Sequence, residues 1–74
     1  MAVITLEAVG LRCPQPVLKV VAKSVEMAKG DVLEVTGDCP TFERDIKAYC
    51  EKTRKVLLWI REEEGGAKRC QIQF

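Results

Sequence analysis

VITLEAVGLRCPQPVLKVVAKSVEMAKGDVLEVTGDCP, residues 3–40, holds a strand, a helix and a second strand in that order. Val3 to Val9 is a β-rich run, and Gly10-Leu11-Arg12 reads as a short loop. Pro14 and Pro16 stand where a helix begins, a position that tolerates proline because the first-turn N–H groups have no partner inside the helix. Val17, Val21 and Val25 recur every fourth residue, with Leu18 and Ala28 beside them, which predicts an apolar helical stripe. Gly30 is the expected helix stop. Val32 to Thr36 is the second strand, broken by Gly37-Asp38. Two strands joined through a helix predict a parallel pair with a right-handed crossover.

Beyond Pro40 a second helix is predicted, with Phe42, Ile46, Tyr49 and Cys50 on one face and Glu43, Arg44, Lys47 and Glu51 around the other. Lys55 to Glu62 (KVLLWIRE) is a third strand, and Gly65-Gly66 marks a hairpin turn after it. The last strand, Lys68 to Phe74, alternates Cys70, Ile72 and Phe74 with Arg69, Gln71 and Gln73. The order β-α-β-α-β-β predicts an α+β fold: a two-layer α/β sandwich whose two helices cover one face of a four-stranded mixed sheet. Residues 1–74 are read as one domain, without a linker or low-complexity tract.

Composition narrows the function. Hydrophobic residues make up 47% and charged residues 31% of the chain, a balance that excludes a disordered polymer. Twelve basic and eleven acidic residues leave a formal charge of +1, so strong general attraction to nucleic acid or anionic lipid is not indicated. The N-terminus reads as a strand and not as a signal peptide, and no stretch has the length to span a bilayer. The expected location is the cytoplasm. There the four cysteines stay reduced, which disfavours a disulfide framework. Their wide spacing, with no C-x-x-C pair and no histidine, also disfavours zinc, and no metal or organic cofactor is expected.

Taken singly, the cysteines separate. Cys13 falls in the N-cap region of the first helix, where free N–H groups, the helix dipole and Arg12 all lower a thiol pKa. Cysteine is a poor cap compared with Ser, Asp or Asn, so an activated thiol is the better account of this residue. Cys39 repeats the arrangement: Gly10-Leu-Arg-Cys13-Pro14 and Gly37-Asp-Cys39-Pro40 both place Cys-Pro between a strand and a helix, at one edge of the sheet. Two readings of Cys39 stay open. It is either a second reactive thiol, resolving Cys13 or closing a regulatory disulfide with it, or a packed loop cysteine. Cys50 and Cys70 lie on apolar faces and read as core.

Gly10-Leu11-Arg12-Cys13-Pro14-Gln15-Pro16 resembles the Cys-Pro-x-Pro signature of the TusA/SirA-like sulfur-carrier family. The likeness runs on through Leu18-Lys19, Asp38-x-Pro40, Asp45-Ile46 and the Glu64-Gly65-Gly66 hairpin. Two positions depart from it: Cys39, where relatives often carry an acidic residue, and Glu7, where they often carry Asp. The resemblance implies a two-layer α/β sandwich. It also implies that Cys13 accepts sulfane sulfur as a persulfide and passes it to a partner protein by transpersulfidation. The relay would serve tRNA thiolation, molybdenum-cofactor assembly, or sulfur oxidation and thiosulfate metabolism. Arg12, Pro14, Pro16 and Lys19 are the candidate substrate- or partner-binding residues. Arg12, Lys19 and Lys23 form a candidate basic rim for a persulfide donor, an acceptor protein or an anion such as thiosulfate, although a solvated helix face accounts for the two lysines more simply. The alternative is a small RNA-binding or protein-docking module without sulfur chemistry. Against RNA stand the near-neutral charge and the lack of paired aromatics on a basic strand. Trp59 alternates with Leu57 and Arg61, which suggests a partly exposed sheet face suited to protein docking.

Overall fold

A computed structural model describes residues 2–13 and 15–74. The elements are β1 (Val3–Ala8), α1 (Gln15–Ser24), β2 (Val32–Gly37), α2 (Phe42–Thr53), β3 (Val56–Glu62) and β4 (Lys68–Gln73). The expected mixed sheet is present. β1 and β2 are parallel, β4 runs antiparallel to both β2 and β3, and the strand order is β1-β2-β4-β3. The β3–β4 hairpin closes through a short 3₁₀ turn, Glu64–Gly66, where Gly65 and Gly66 both take positive φ.

The core forms where β2 and β4 meet the helices. Leu33 and Val35 from β2 and Cys70 and Ile72 from β4 pack with Val20 of α1 and with Phe42, Ile46 and Cys50 of α2. Burying each of the largest of these side chains stabilises the fold by roughly 1.5–3 kcal/mol. Cys50 and Cys70 are therefore core residues, as their stripes predicted. On the opposite face Thr5, Glu34, Gln71 and Trp59 stand in register across the four strands. The Arg61 guanidinium lies 4.7 Å from the centre of the Trp59 ring.

Three expectations need correction. The buried side of α1 carries Pro16 and Val20, with Val17 of the expected stripe partly buried against the core, whereas Leu18 and Val21, and Val25 beyond the helix end, are exposed. In residues 16–21 every position but Lys19 is apolar, so two stripes overlap, and contact with the sheet selects the one through Pro16 and Val20. The helix also ends at Ser24, whose hydroxyl bonds to the Val21 carbonyl, so Gly30 is not its stop. Gly30 lies farther along, at φ +93°, where its N–H donates to the Phe74 carbonyl. Asp31 ties the same corner together by accepting the Ala2 and Ala28 N–H groups. Those two bonds, Ala28 first, hold its carboxyl below the usual range. In β3 a register shift between Leu57 and Trp59 breaks the alternation. Leu57 joins the core side opposite Ile72, and Trp59 and Arg61 share the other face.

Gly37, the last residue of β2, is required for space. A Cβ there would stand 2.6 Å and 2.7 Å from the Cδ1 and Cε1 atoms of Phe42. Phe42 opens α2 and is almost fully buried. This close approach sets α2 down against the end of β2 and fixes the short connection between them.

A cysteine pair at the sheet edge

Ala8 and Gly37 form the last register pair of β1 and β2, so the two connections leave the sheet at the same level. They are then clamped to each other. Gly10 turns the first connection at φ +88°, and its N–H donates to Asp38 Oδ1 at 3.0 Å. Cys13 follows on the first connection, two residues ahead of α1, and Cys39 on the second, three residues ahead of α2. The two cysteines pair as a disulfide, with Cα atoms 5.8 Å apart. That separation falls inside the range a disulfide needs, roughly 4.4–6.8 Å. Cys13 is half-buried and Cys39 is 8% exposed, so Cys13 is the member that reagents and partners reach.

Beside the sulfurs stand Thr41 and Asp45. Thr41 Oγ1 is 2.8 Å from Cys13 Sγ, 3.5 Å from Cys39 Sγ and 3.0 Å from Asp45 Oδ2. A hydroxyl owns one proton, so at any moment it donates either to the Cys13 sulfur or to the carboxylate. The other Asp45 oxygen lies 3.8 Å from Arg44 Nε. Local structure explains these positions. Thr41 is the N-cap residue of α2, but its side chain makes no capping bond and is free to face the cysteines. Asp45 sits one turn further on, and its N–H donates to the Thr41 carbonyl. Both cysteines stand at helix N-terminal ends, where the dipole favours an anion.

Cys13 Sγ, Cys39 Sγ and an Asp45 oxygen all lie within 4.8 Å of one another. Distance along the chain therefore understated how closely cysteine donors converge. Two sulfurs and one oxygen are one ligand short of the usual structural zinc set, and a disulfide offers no thiolates. Binding a metal and closing the disulfide are mutually exclusive.

The remaining candidates fall elsewhere. Cys50 is desolvated, which pushes its thiol up from the usual range. Burial, and after it the neighbouring Cys50, pushes the Cys70 thiol up to about 12. Both are poor nucleophiles at neutral pH. Arg12 and Lys19 are exposed and make no ion pair among the described residues, while Lys23 lies 3.7 Å from Glu26. Lys19 edges a shallow depression with Leu11, Gln15, Leu18 and Ala22. Pro14 lies outside the described residues. Pro16 was expected at the binding surface, but it is fully buried and acts through the packing of α1. Sequence reasoning missed Thr41 as a site residue and met Asp45 only as part of a resemblance. The one sequence signal for them is their place just after Cys39, within the first turn of α2.

No helix among the described residues is long and apolar enough to cross a membrane. Comparison with protein-family models adds a finding independent of this geometry. The model described as "Sulfurtransferase TusA" matches residues 4–73, nearly the whole chain.

Proposed function

The chain belongs to the TusA sulfurtransferase family, and on that premise we propose that Cys13 is its sulfur-bearing residue. In the reduced protein the Cys13 thiolate attacks the outer sulfur of a donor persulfide. The donor leaves as a thiol, and the sulfane sulfur remains as Cys13-S-SH. An acceptor thiolate on a partner protein then attacks that outer sulfur and regenerates Cys13. Thiolate availability and leaving-group quality set both rates. The exchange needs no organic cofactor.

The observation that carries this reading is the half-buried Cys13 with its sulfur 2.8 Å from the Thr41 hydroxyl, in a chain whose Cys50 and Cys70 are sealed in the core. A hydroxyl donating to the thiolate, or to the terminal sulfur of a persulfide, stabilises the anion that must form. The depression beside the connection, edged by Leu11, Leu18 and Lys19, supplies an apolar and basic margin for a docking protein. Arg12 and Lys19 supply charge for an anionic sulfur species such as thiosulfate. A cytoplasmic setting fits this cycle, because the Cys13–Cys39 disulfide must be open before sulfur can load. The relay served is one of tRNA thiolation, molybdenum-cofactor assembly, or sulfur oxidation.

The test is adduct mapping on reduced protein given a persulfide donor, together with Cys13→Ala. The alanine variant keeps its fold by circular dichroism and takes up no sulfur. An adduct that persists on the variant refutes the assignment.

A further inference from the structure

We infer that Cys39 gives this carrier a second outcome, the reductive release of its cargo as sulfide; the inference rests on Cys13 being the sulfur-bearing residue. Two thiolates compete for a persulfide on Cys13. A partner attacks the outer sulfur and carries it away. Cys39 attacks the inner one, the Sγ of Cys13, because a Cα separation of 5.8 Å is that of two cysteines whose own sulfurs bond directly. Attack on the outer atom would require the Cys39 sulfur to withdraw by about one S–S bond length, roughly 2 Å. The clamped connections oppose such a shift, with Gly10 bound to Asp38 on one side and Phe42 pressed on Gly37 on the other.

The step balances. Cys39 Sγ forms a bond to Cys13 Sγ, and the bond from Cys13 Sγ to the outer sulfur breaks. The outer sulfur leaves with the bonding electron pair as hydrosulfide. It has gained two electrons, drawn from the two cysteines, which end as a disulfide. Hydrosulfide is a less basic leaving group than an alkanethiolate, which favours its departure. The proton of Cys39 has a path out. Thr41 Oγ1 is 3.5 Å from Cys39 Sγ, and the hydroxyl passes its own proton to Asp45 Oδ2 at 3.0 Å. Thr41, against the Cys39 sulfur, and Asp45 behind it thus serve to take the proton from the resolving thiol. The departing hydrosulfide takes up a proton from water, giving hydrogen sulfide overall. A dithiol reductant, attacking the more accessible Cys13 sulfur, reopens the pair for another round.

The exposure pattern matches this division of labour. Cys13, the acceptor, is half-buried, and Cys39, the resolving residue, is only 8% exposed. A bulky partner therefore meets Cys13 first, and Cys39 acts when no partner has taken the sulfur. The chain then couples persulfide sulfur to a dithiol reductant as well as carrying it.

The test is a single turnover. Reduced protein, freed of reductant, is loaded briefly with glutathione persulfide, acidified to stop exchange, desalted and returned to neutral pH. Sulfide release is followed with time, and the product is mapped. The wild type should release about one sulfide per loaded chain and acquire the Cys13–Cys39 link. Cys39→Ser, and in parallel Cys39→Ala, should hold the persulfide on Cys13 and release sulfide at least about tenfold more slowly. Thr41→Val and Asp45→Asn should slow release without changing the final yield. A wild-type protein that keeps its Cys13 persulfide as long as the Cys39 variants do overturns the inference and leaves the carrier reading standing. Failure of wild type and Cys39 variants alike to load any sulfur overturns both.

Discussion

Gly37→Ala tests the packing that brings the two cysteines together. The added methyl carbon would lie 2.6 Å and 2.7 Å from two ring carbons of Phe42 and 3.3 Å from a third. Carbon atoms in comfortable contact stand about 3.5–4.0 Å apart, so relief requires a movement of about 1 Å. Phe42 is 1% exposed and cannot swing into solvent, and Gly37 is held in the sheet between Ala8 and Lys68. The movement falls on the start of α2. Overpacking of this kind costs about 1–3 kcal/mol. The reduced freedom of the unfolded chain returns about 0.4–1 kcal/mol. A net loss of about 1–2 kcal/mol in a domain of this size lowers Tm by roughly 4–16 °C. Thermal unfolding of the reduced protein, followed by circular dichroism, measures it. In the Gly37→Ala background Phe42→Leu should cost clearly less than it does alone, because it makes room for the methyl group. An unchanged or raised Tm, or strict additivity of the two substitutions, refutes the reasoning.

Thr41→Val, made in the Cys39→Ser background, removes the hydroxyl beside Cys13 Sγ. A hydrogen bond to a charged group contributes about 1.5–3 kcal/mol, so alkylation of Cys13 at neutral pH should fall by about tenfold or more. An unchanged rate would show that the hydroxyl serves Asp45 alone. The Glu43 carboxyl is held down at about 2 by Lys47 and then Lys68, against an ordinary value of 4.5. A depressed folded-state value gives stability that is present above 4.5 and is lost as pH falls toward 2. Glu43→Gln should flatten that part of the acid denaturation profile, and a profile parallel to wild type would count against the ion pairs. The Cys70 thiol, raised from 9.0 to about 12, contributes stability that holds below pH 9.0 and is lost as pH climbs toward 12. Cys70→Ala should lose less stability than wild type over that alkaline interval, although it starts lower because of the cavity. An equal loss in the two proteins would contradict the assignment of Cys70 to a dry core.

How far the fold can be read from residues depends on how far each element faces a single partner. α2 was legible because Phe42, Ile46 and Cys50 recur every fourth residue with charges between them, and those three are its buried residues. β4 was legible because it runs between two strands with one face on the core, which enforces strict alternation. α1 was not, since its apolar residues wrap more than half of the helix and only the sheet decides which side is covered. The irregularity in β3 is equally silent in KVLLWIRE, where consecutive apolar residues fit either register.

The candidate site divides in the same way. That Cys13 and Cys39 share one edge followed from two strand-to-helix junctions bearing Cys-Pro, once the strands were taken as parallel. The contact between their sulfurs did not follow. It depends on the alignment of Ala8 with Gly37 and on the Gly10–Asp38 bond. Thr41 and Asp45 were hidden because a threonine at a helix start and an acid in its first turn are ordinary features of any helix. Only the fold shows that Thr41 leaves its capping role and faces the sulfurs.

The central claim is that sulfur is carried on Cys13, and the most direct test is mass analysis of three reduced proteins exposed to one persulfide donor. The three are the wild type, Cys39→Ser and Cys13→Ala. Cys39→Ser should gain about 32 Da, one sulfur atom, on the peptide containing Cys13. Wild type should show the same adduct or the Cys13–Cys39 link that succeeds it, and Cys13→Ala should show neither. A gain of about 32 Da on Cys13→Ala, or an unmodified Cys13 in the Cys39→Ser protein, would contradict the account.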